Sequence, residues 1–367
     1  MNPNIGLPGA RERHCSDVEN LSDLRRDVAR FARTSDMRGY LCLGVNWIVI
    51  IGCWVLWSFV AVRVPLSVRI GLWIVELIVL TSRIRALESL THEASHNTLF
   101  HTRRLNVLLQ GLYALPVLHE VRAYRKEHSV HHARLGRPDD PAQILFARHL
   151  VSCFPHRSLW VMLGRPLFGY HTRDWLGEKL DSWVTLPSFR LIGLFWGAVL
   201  IAAFFAGQLS WLILHWLFAL ALLFPIVEFW GEVADHAALD ANALAATRSN
   251  IGVMHRLLLH THADGYHMVH HINPAIPGNM LATAHAFLRR TTSGKIVESH
   301  SIIQTLSQLS ARSGGRITRN YPWRGQHEAT GSLCPEHVRC NLRSARARKR
   351  LGSAHEQRDT SRSLGAR

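Results

Sequence analysis

The sequence predicts an all-α, multi-pass membrane protein of about four transmembrane helices, with a histidine-rich cap on their cytoplasmic side. Three observations predict it. Hydrophobic residues make up 48% of the 367 and charged residues only 19%, which excludes a disordered chain and fits a core-rich or membrane protein. The apolar residues gather into long uninterrupted runs. The 24 histidines concentrate in dense clusters next to those runs. A formal charge of +16, almost all of it Arg because only 4 of the 42 basic residues are Lys, raises nucleic acid as a partner. The position of the Arg beside the apolar runs makes that partner unnecessary.

Residues 1–40 are polar, hold seven Arg and contain no apolar signal-peptide core, so a cytoplasmic N-terminal segment is expected. Leu41 to Val62 follows without a single charge. As a helix, these residues would span roughly 33 Å, about one hydrocarbon thickness. A link with Arg63, Pro65 and Arg69 leads into a second helix, expected over about 64–90, whose last turns with Arg83, Arg85 and Glu88 are expected to emerge into water. Leu105 to Leu118 is too short to span and contains Gly111 and Pro116, which suits a re-entrant or interfacial segment. Residues 119–190 mix charge with Trp and Phe and read as membrane-surface helices and loops. Leu191–Gly207 and Leu209–Trp230, separated by little more than Gln208, predict a tight helical hairpin.

Arg-rich segments at the N-terminus, in the middle loop and after the fourth run place both termini and that loop in the cytoplasm. A bacterial inner membrane is the expected setting. The catalytic unit is expected over 41–300. A basic tail over 310–367 reads as disordered, with anionic lipid headgroups as a secondary partner. The six Cys are scattered and expected as free thiols. Cys334, His337 and Cys340 form a tight cluster, but the polar tail around it favours an incidental sequence over a metal site.

Three histidine clusters carry the chemistry: His92-Glu-Ala-Ser-His96, His128-Ser-Val-His131-His132 and His267-Met-Val-His270-His271. On a helix, positions i, i+3 and i+4 share a face, so each cluster aims two or three imidazoles the same way. Neutral imidazole is a good ligand for iron or zinc. Eight such residues exceed the needs of one ion, so two metals sharing a site is the economical inference. His236, at the end of the fourth run, is a ninth candidate. All nine fall on the cytoplasmic side of a topology drawn from hydropathy and Arg alone. His215, mid-run, reads as a packing or hydrogen-bonded residue. His101, His119, His149, His156 and His171 read as surface residues, while His260, His262 and His285 flank the third cluster.

The chain resembles the membrane fatty-acid desaturase and hydroxylase superfamily over roughly 40–290. The matching stretches are Thr91–Phe100, Tyr124–His132 with Pro138-Asp-Asp-Pro141, and Gly265–Pro274. The resemblance implies a four-span helical scaffold and a non-haem di-iron centre ligated by His92, His96, His128, His131, His132, His236, His267, His270 and His271. Departures from the family pattern matter. Glu232 stands where some relatives have an Asn that reaches iron through water, and it is expected to coordinate or to orient a ligand. The third box begins with His267, where front-end desaturases usually have Gln. No His-Pro-Gly-Gly haem motif occurs, so electrons are expected from a separate ferredoxin-, rubredoxin- or cytochrome b5-like donor.

Oxidising an unactivated C–H bond calls for iron and O2, because zinc has no redox activity. Asp139, Asp140, Asp235 and Glu93 are candidates for fixing imidazole tautomers. The expected activity is desaturation of a membrane lipid or other acyl substrate. The alternatives are hydroxylation, and desaturation of a carrier-bound or non-lipid metabolite. A remote one is a membrane zinc protease, since His92-Glu-Ala-Ser-His96 reads literally as His-Glu-x-x-His with Glu93 as base.

Overall fold

The computed structural model describes residues 21–137, 139–149, 163–185, 187–239, 243–292 and 296–311. The expected tail beyond Ala311, including Cys334, His337 and Cys340, lies outside the described residues, as do residues 1–20 and His156. Of the six Cys, Cys42 and Cys53 are described, and both are free thiols.

The described chain is mostly helical. A short α1 (Leu21–Val28) precedes α2 (Asp36–Phe59) and the long α3 (Leu66–Ser95). α2 is anchored at its first residue: Asp36 accepts from the Thr102 backbone N–H at 2.8 Å and from the Thr102 hydroxyl at 2.7 Å. Its Gly39 lets Phe100 approach, because a Cβ there would lie 2.4 Å from the ring. Pro65 precedes α3, where its fixed φ and missing N–H cost nothing. α3 ends where Asn97 turns left-handed with φ +58°, a conformation Asn tolerates better than most residues.

The segment expected as re-entrant is a series of short turns at Leu105–Leu108, Gln110–Leu112 and Leu115–Val117. Then come α4 (Val121–Arg134), capped by the Glu120 carboxylate accepting from Ala123 N–H at 2.8 Å, and α5 (Pro141–Arg148), capped by Asp140. α6 (Tyr170–Thr185) and α7 (Pro187–Phe205) lead through Gly207, at φ +68°, into α8 (Leu209–His236). α8 carries π-helical stretches at Leu212–Leu217 and Ala219–Leu223. Beyond it lie α9 (His267–Ile272), α10 (Gly278–Thr291) and α11 (Ile302–Ala311). The two-residue strands β1 (Ser249–Asn250) and β2 (Glu298–Ser299) pair in parallel.

The main core lies between α2, α3, residues 113–121 and α6 to α8, around Leu80, Ile84, Leu87, Tyr113, Trp196 and Phe224. Two of the described helices, α2 and α8, are long and apolar enough to cross a membrane, and the apolar stretch of α7 is shorter. They leave large apolar side chains uncovered, among them Ile48 at 71% and Leu194 at 72% exposed. α3 is one continuous helix of 30 residues, but it carries Arg69, Glu76, Arg83, Arg85 and Glu88.

The end of α3 corrects the sequence expectation. Arg85 and Glu88 do not emerge into water but are 9% and 4% exposed, and Arg83, half-buried, donates to Asn46. Arg85 stays buried because each of its three nitrogens is bonded: 2.7 Å to Glu88, 2.9 Å to Asp264 and 2.8 Å to the Leu259 carbonyl. Three of the histidines expected at the surface are also buried: His119 at 9%, His149 at 4% and His171 at 5% exposed. His149 and His171 pack on Phe229, which covers them. His215 is buried against Glu76, with 3.3 Å between Nδ1 and the carboxylate.

Packing also runs past the expected limits of 41–300. Leu24 and Val28 of α1 join Met268, Val269 and Leu288, and Leu309 of α11 joins Phe229 and Val233.

Candidate metal centre

Four helix ends converge. α3 delivers His92 and, just past its last residue, His96. α4 delivers His128, His131 and His132. α8 ends on His236, and α9 delivers His267, His270 and His271. The structure sorts these nine into two groups: His92, His96, His128, His132 and His270; and His131, His236, His267 and His271, each with ligand atoms within 4.8 Å of one another. Helix geometry explains the sorting. In α4, positions 128 and 132 share a face and 131 lies to one side, so one helix serves both groups.

In the first group His92 Nε2 lies 2.9 Å from both His128 Nε2 and His270 Nε2, and His132 Nε2 lies 2.9 Å from the same two. A square of that edge has its corners about 2.1 Å from its centre, the length of an imidazole–metal bond. In the second group His267 Nε2 is 2.9 Å from His236 Nε2 and 3.0 Å from His271 Nε2.

Carboxylates behind the rings set the tautomers. His92 Nδ1 faces Asp264 Oδ1 at 3.0 Å, and His131 Nδ1 faces Asp140 Oδ1 at 2.8 Å. Burial pushes the Asp264 carboxyl up, but His92 and Arg85 outweigh it and hold it well below the usual carboxylate range. An ionised carboxylate only accepts, so His92 carries its proton on Nδ1 and turns a lone pair inward. Burial pushes His128 and His270 well below their usual range, His132 to about 2 and His96 to about 3. These rings are neutral near pH 7, as metal binding requires. His131 differs: burial lowers it, but the Asp140 bond and the charge of Glu232 outweigh that.

His96 Nε2 is buried with no hydrogen-bond partner. The inward lone pair of His92 meets two further Nε2 atoms at 2.9 Å, with an orphaned nitrogen beside them, an arrangement that a cation relieves, so the residues present fit metal binding.

The acids expected behind the ligands divide. Asp140 serves His131. Asp235 accepts from Asn250 Nδ2 at 2.8 Å and faces His260 at 3.0 Å, with His267 Nδ1 farther off at 3.9 Å. Asp139 turns outward to Arg134 at 3.1 Å and is not brought to the centre. Glu93 faces none of the ligand rings' nitrogens in a hydrogen bond: Arg38 clamps both its oxygens at 2.6 Å, and the Gly278 N–H donates to it at 3.1 Å. Asp264, which sequence reasoning missed, was signalled by an acid three residues before the third box, next to Gly265. Gly265 lets the chain pass so close to Asn250 that a Cβ would lie 2.0 Å from its carbonyl oxygen. Glu232 is half-buried one turn before His236, with Oε2 buried and unpartnered. Of the flanking histidines, His262 bonds Asn46 at 2.7 Å and His285 faces Glu298 at 3.6 Å.

The profile of the fatty acid desaturase family matches residues 67–297, well over half of the chain and the span that holds all nine histidines. The chain belongs to the fatty acid desaturase family. It is similar to the dihydrorhizobitoxine desaturase of Bradyrhizobium elkanii, with 25% identity over 281 residues, which cover 71% of this chain and 75% of that protein. Membership makes this desaturase-family chain an oxidoreductase. The protease reading fails on Glu93, because a carboxylate held by Arg38 and the Gly278 N–H is not free to act as a base on water at His92 and His96.

Proposed function

We propose that the protein is an O2-dependent di-iron desaturase, in which His92, His96, His128, His132 and His270 hold one iron and His131, His236, His267 and His271 the other. The observation that carries this reading is the pair of convergent imidazole groups, backed by Asp264 and Asp140. Iron held there supplies the redox chemistry that activates O2 to remove hydrogen from an aliphatic carbon.

The chain's own work is positional. Asp264 and Asp140 hold two ligand rings in one tautomer and orientation. Glu232, unpartnered and one turn from His236, takes a proton or orients a ligand beside the second group. Burial of both groups limits water near the site and so limits wasteful turnover.

The setting that fits is a membrane crossed by α2, α3, α7 and α8, with the metal end and both termini in the cytoplasm. α2 and α8 have the length and composition for it. Electrons come from a separate small redox protein. The sequence suggests an acyl lipid as substrate. The polar groups around the metals and the name of the similar Bradyrhizobium protein favour the second reading, a non-lipid metabolite.

The test is elemental analysis of purified protein, joined to mass spectrometry of lipids and metabolites in cells that express it. Two irons per chain and a product lighter by two hydrogens are expected. A product heavier by one oxygen would make it a hydroxylase, and one zinc without iron would refute the reading.

A further inference from the structure

Val253-Met-His-Arg-Leu-Leu-Leu259 forms two helical turns between β1 and the third histidine box, outside the runs expected to span. One face turns inward: His255 Nε2 lies 2.9 Å from the Thr305 hydroxyl, and Leu259 is buried. Val253, Met254 and Leu257, at i, i+1 and i+4, share the opposite face and are 68%, 52% and 50% exposed. Among the described residues beyond α8, the only other large apolar side chain left this open is Ile303. Apolar exposure gathered on one short element, unlike a single scattered residue, calls for a partner.

Contacts fix the height of this face along the helices. Ser82 Oγ on α3 donates to the Leu257 carbonyl, and Arg85 Nε, a turn further on, donates to the Leu259 carbonyl at 2.8 Å. Ile78 and Val75, four and seven residues before Ser82, lie on the same side of α3, and both are exposed. Leu257 therefore begins where the open apolar strip of α3 ends. α8 gives the same height, measured from its start. The Leu259 carbonyl passes 3.7 Å from where a Cβ of Gly231 would lie. From Leu209 to Gly231 a helix rises about 33 Å, roughly one hydrocarbon thickness. On another side of α8, Trp230 Nε1 donates to the Leu163 carbonyl at 3.2 Å, shortly before the exposed Leu167 and Tyr170. Two open apolar sets thus meet α8 near residue 230.

Past this height the polar cap begins, with Arg85 and Glu88 buried and paired. Arg256 stands at the boundary: it is exposed, and its Nη2 donates to the Tyr266 hydroxyl at 2.9 Å. An Arg so placed lays its stem along the apolar side and keeps its charge among headgroups. We propose that Val253, Met254 and Leu257 form a docking face for membrane lipid at the acyl–headgroup boundary, and that residues 253–259 seat the metal-bearing cap on the bilayer. The inference rests on the membrane setting proposed above and adds a contact outside the spans. Lipid covers side chains that water would otherwise meet. The same contact sets the height of the metal centre. His236 follows Gly231 by five residues on α8, and His92 follows Ser82 by ten on α3. Those ligands therefore stand about 8 and 15 Å past the boundary.

The test is photolabelling of the full-length, metal-loaded protein, one copy per phosphatidylcholine nanodisc. The probe is a phosphatidylcholine with a diazirine on the acyl carbons nearest its headgroup, and labelled peptides are mapped by mass spectrometry. One copy per disc removes a second copy as a competitor for the face, and the unaltered chain removes any doubt about folding. Residues 253–257 are expected to take at least fivefold more label than Leu21, an exposed apolar residue of α1. Equal labelling of the two overturns the proposal, because the probe would then be reading apolar exposure alone. Label on the exposed Ile213 and Leu214 of α8 with none on 253–257 overturns it and leaves the spans standing. A crosslink between copies through residues 253–257 in vesicles, joined to that result, would assign the face to a dimer. Label on 253–257 with none on α8 supports the seating face and sinks the spanning reading. No label on either sinks both. Iron content tests the desaturase reading separately.

Discussion

Asp264→Asn tests the link between the buried acids and the metal centre. The carboxylate has two partners, His92 Nδ1 at 3.0 Å and Arg85 Nη2 at 2.9 Å, and both are donors. An amide keeps one acceptor and replaces the other with a donor, so one partner must face a like group. If the amide nitrogen turns to His92, it favours the tautomer with the proton on Nε2, which removes the lone pair aimed at the first group. If it turns to Arg85, the guanidinium keeps Glu88 and the Leu259 carbonyl, and the loss falls on stability. An unsatisfied buried donor costs about 1–3 kcal/mol. Loss of such a partner typically lowers metal affinity about 10- to 100-fold, equivalent to about 1.4–2.8 kcal/mol.

The assay is iron per chain after dialysis against a graded chelator, with denaturant unfolding of the metal-free protein beside it. Glu93→Gln is the control. It lies beside a ligand in sequence but is held by Arg38 and the Gly278 N–H, so it should lower stability and leave metal affinity within about threefold, under ~1 kcal/mol. Wild-type iron retention together with wild-type stability in Asp264→Asn, or equal iron loss in Glu93→Gln, would refute the reasoning.

His236→Ala should lower iron from two towards one per chain and abolish turnover, while His101→Ala, at an exposed position, should change neither; elemental analysis decides. Glu232→Gln should cut the turnover rate by tenfold or more, on the order of 1.4 kcal/mol, with little change in melting temperature. An equal fall in both would mean that Glu232 is structural. Truncation after Ala311 should leave iron content intact, whereas truncation before Ile302 should reduce it. Thr305 donates to Asn250 at 3.0 Å, and Asn250 holds Asp235. Reporter tags at both termini and near Arg137 should all read cytoplasmic, and an exterior signal near Arg137 would overturn the four-span layout.

The candidate ligands were legible because helix periodicity converts His-x-x-His-His into a face, and the same rule brings His236 to its place at the end of α8. The acids behind them were legible only in part. Asp140 sits nine residues from His131, close enough to be suspected from the sequence. Asp264 meets His92 from 172 residues away, and no local pattern encodes that encounter. Arg85 and Glu88 were misread because hydropathy treats charge as exposed, whereas here the two pair with each other along α3 and tertiary folding brings Asp264 and the Leu259 carbonyl to Arg85. His119, His149 and His171 have no spacing to mark them, and their burial comes from aromatic neighbours on other helices. The span count was the least legible element, since α3 runs unbroken through membrane-like and core-like surroundings with charges in both.

Asp140 has a consequence for how the protein matures. Its Oδ1 accepts from the Ala142 N–H at 3.0 Å to start α5 and also faces His131 Nδ1 at 2.8 Å, while its Oδ2 takes the Gly136 N–H at 2.8 Å. One carboxylate therefore closes a loop, nucleates a helix and aims a ligand. The loop cannot open without releasing the ring, and the ring cannot be gripped by a metal without holding the loop shut. Metal loading is therefore expected to steady this loop, and the Ala142 amide is its reporter: its hydrogen should exchange with solvent faster before loading than afterwards.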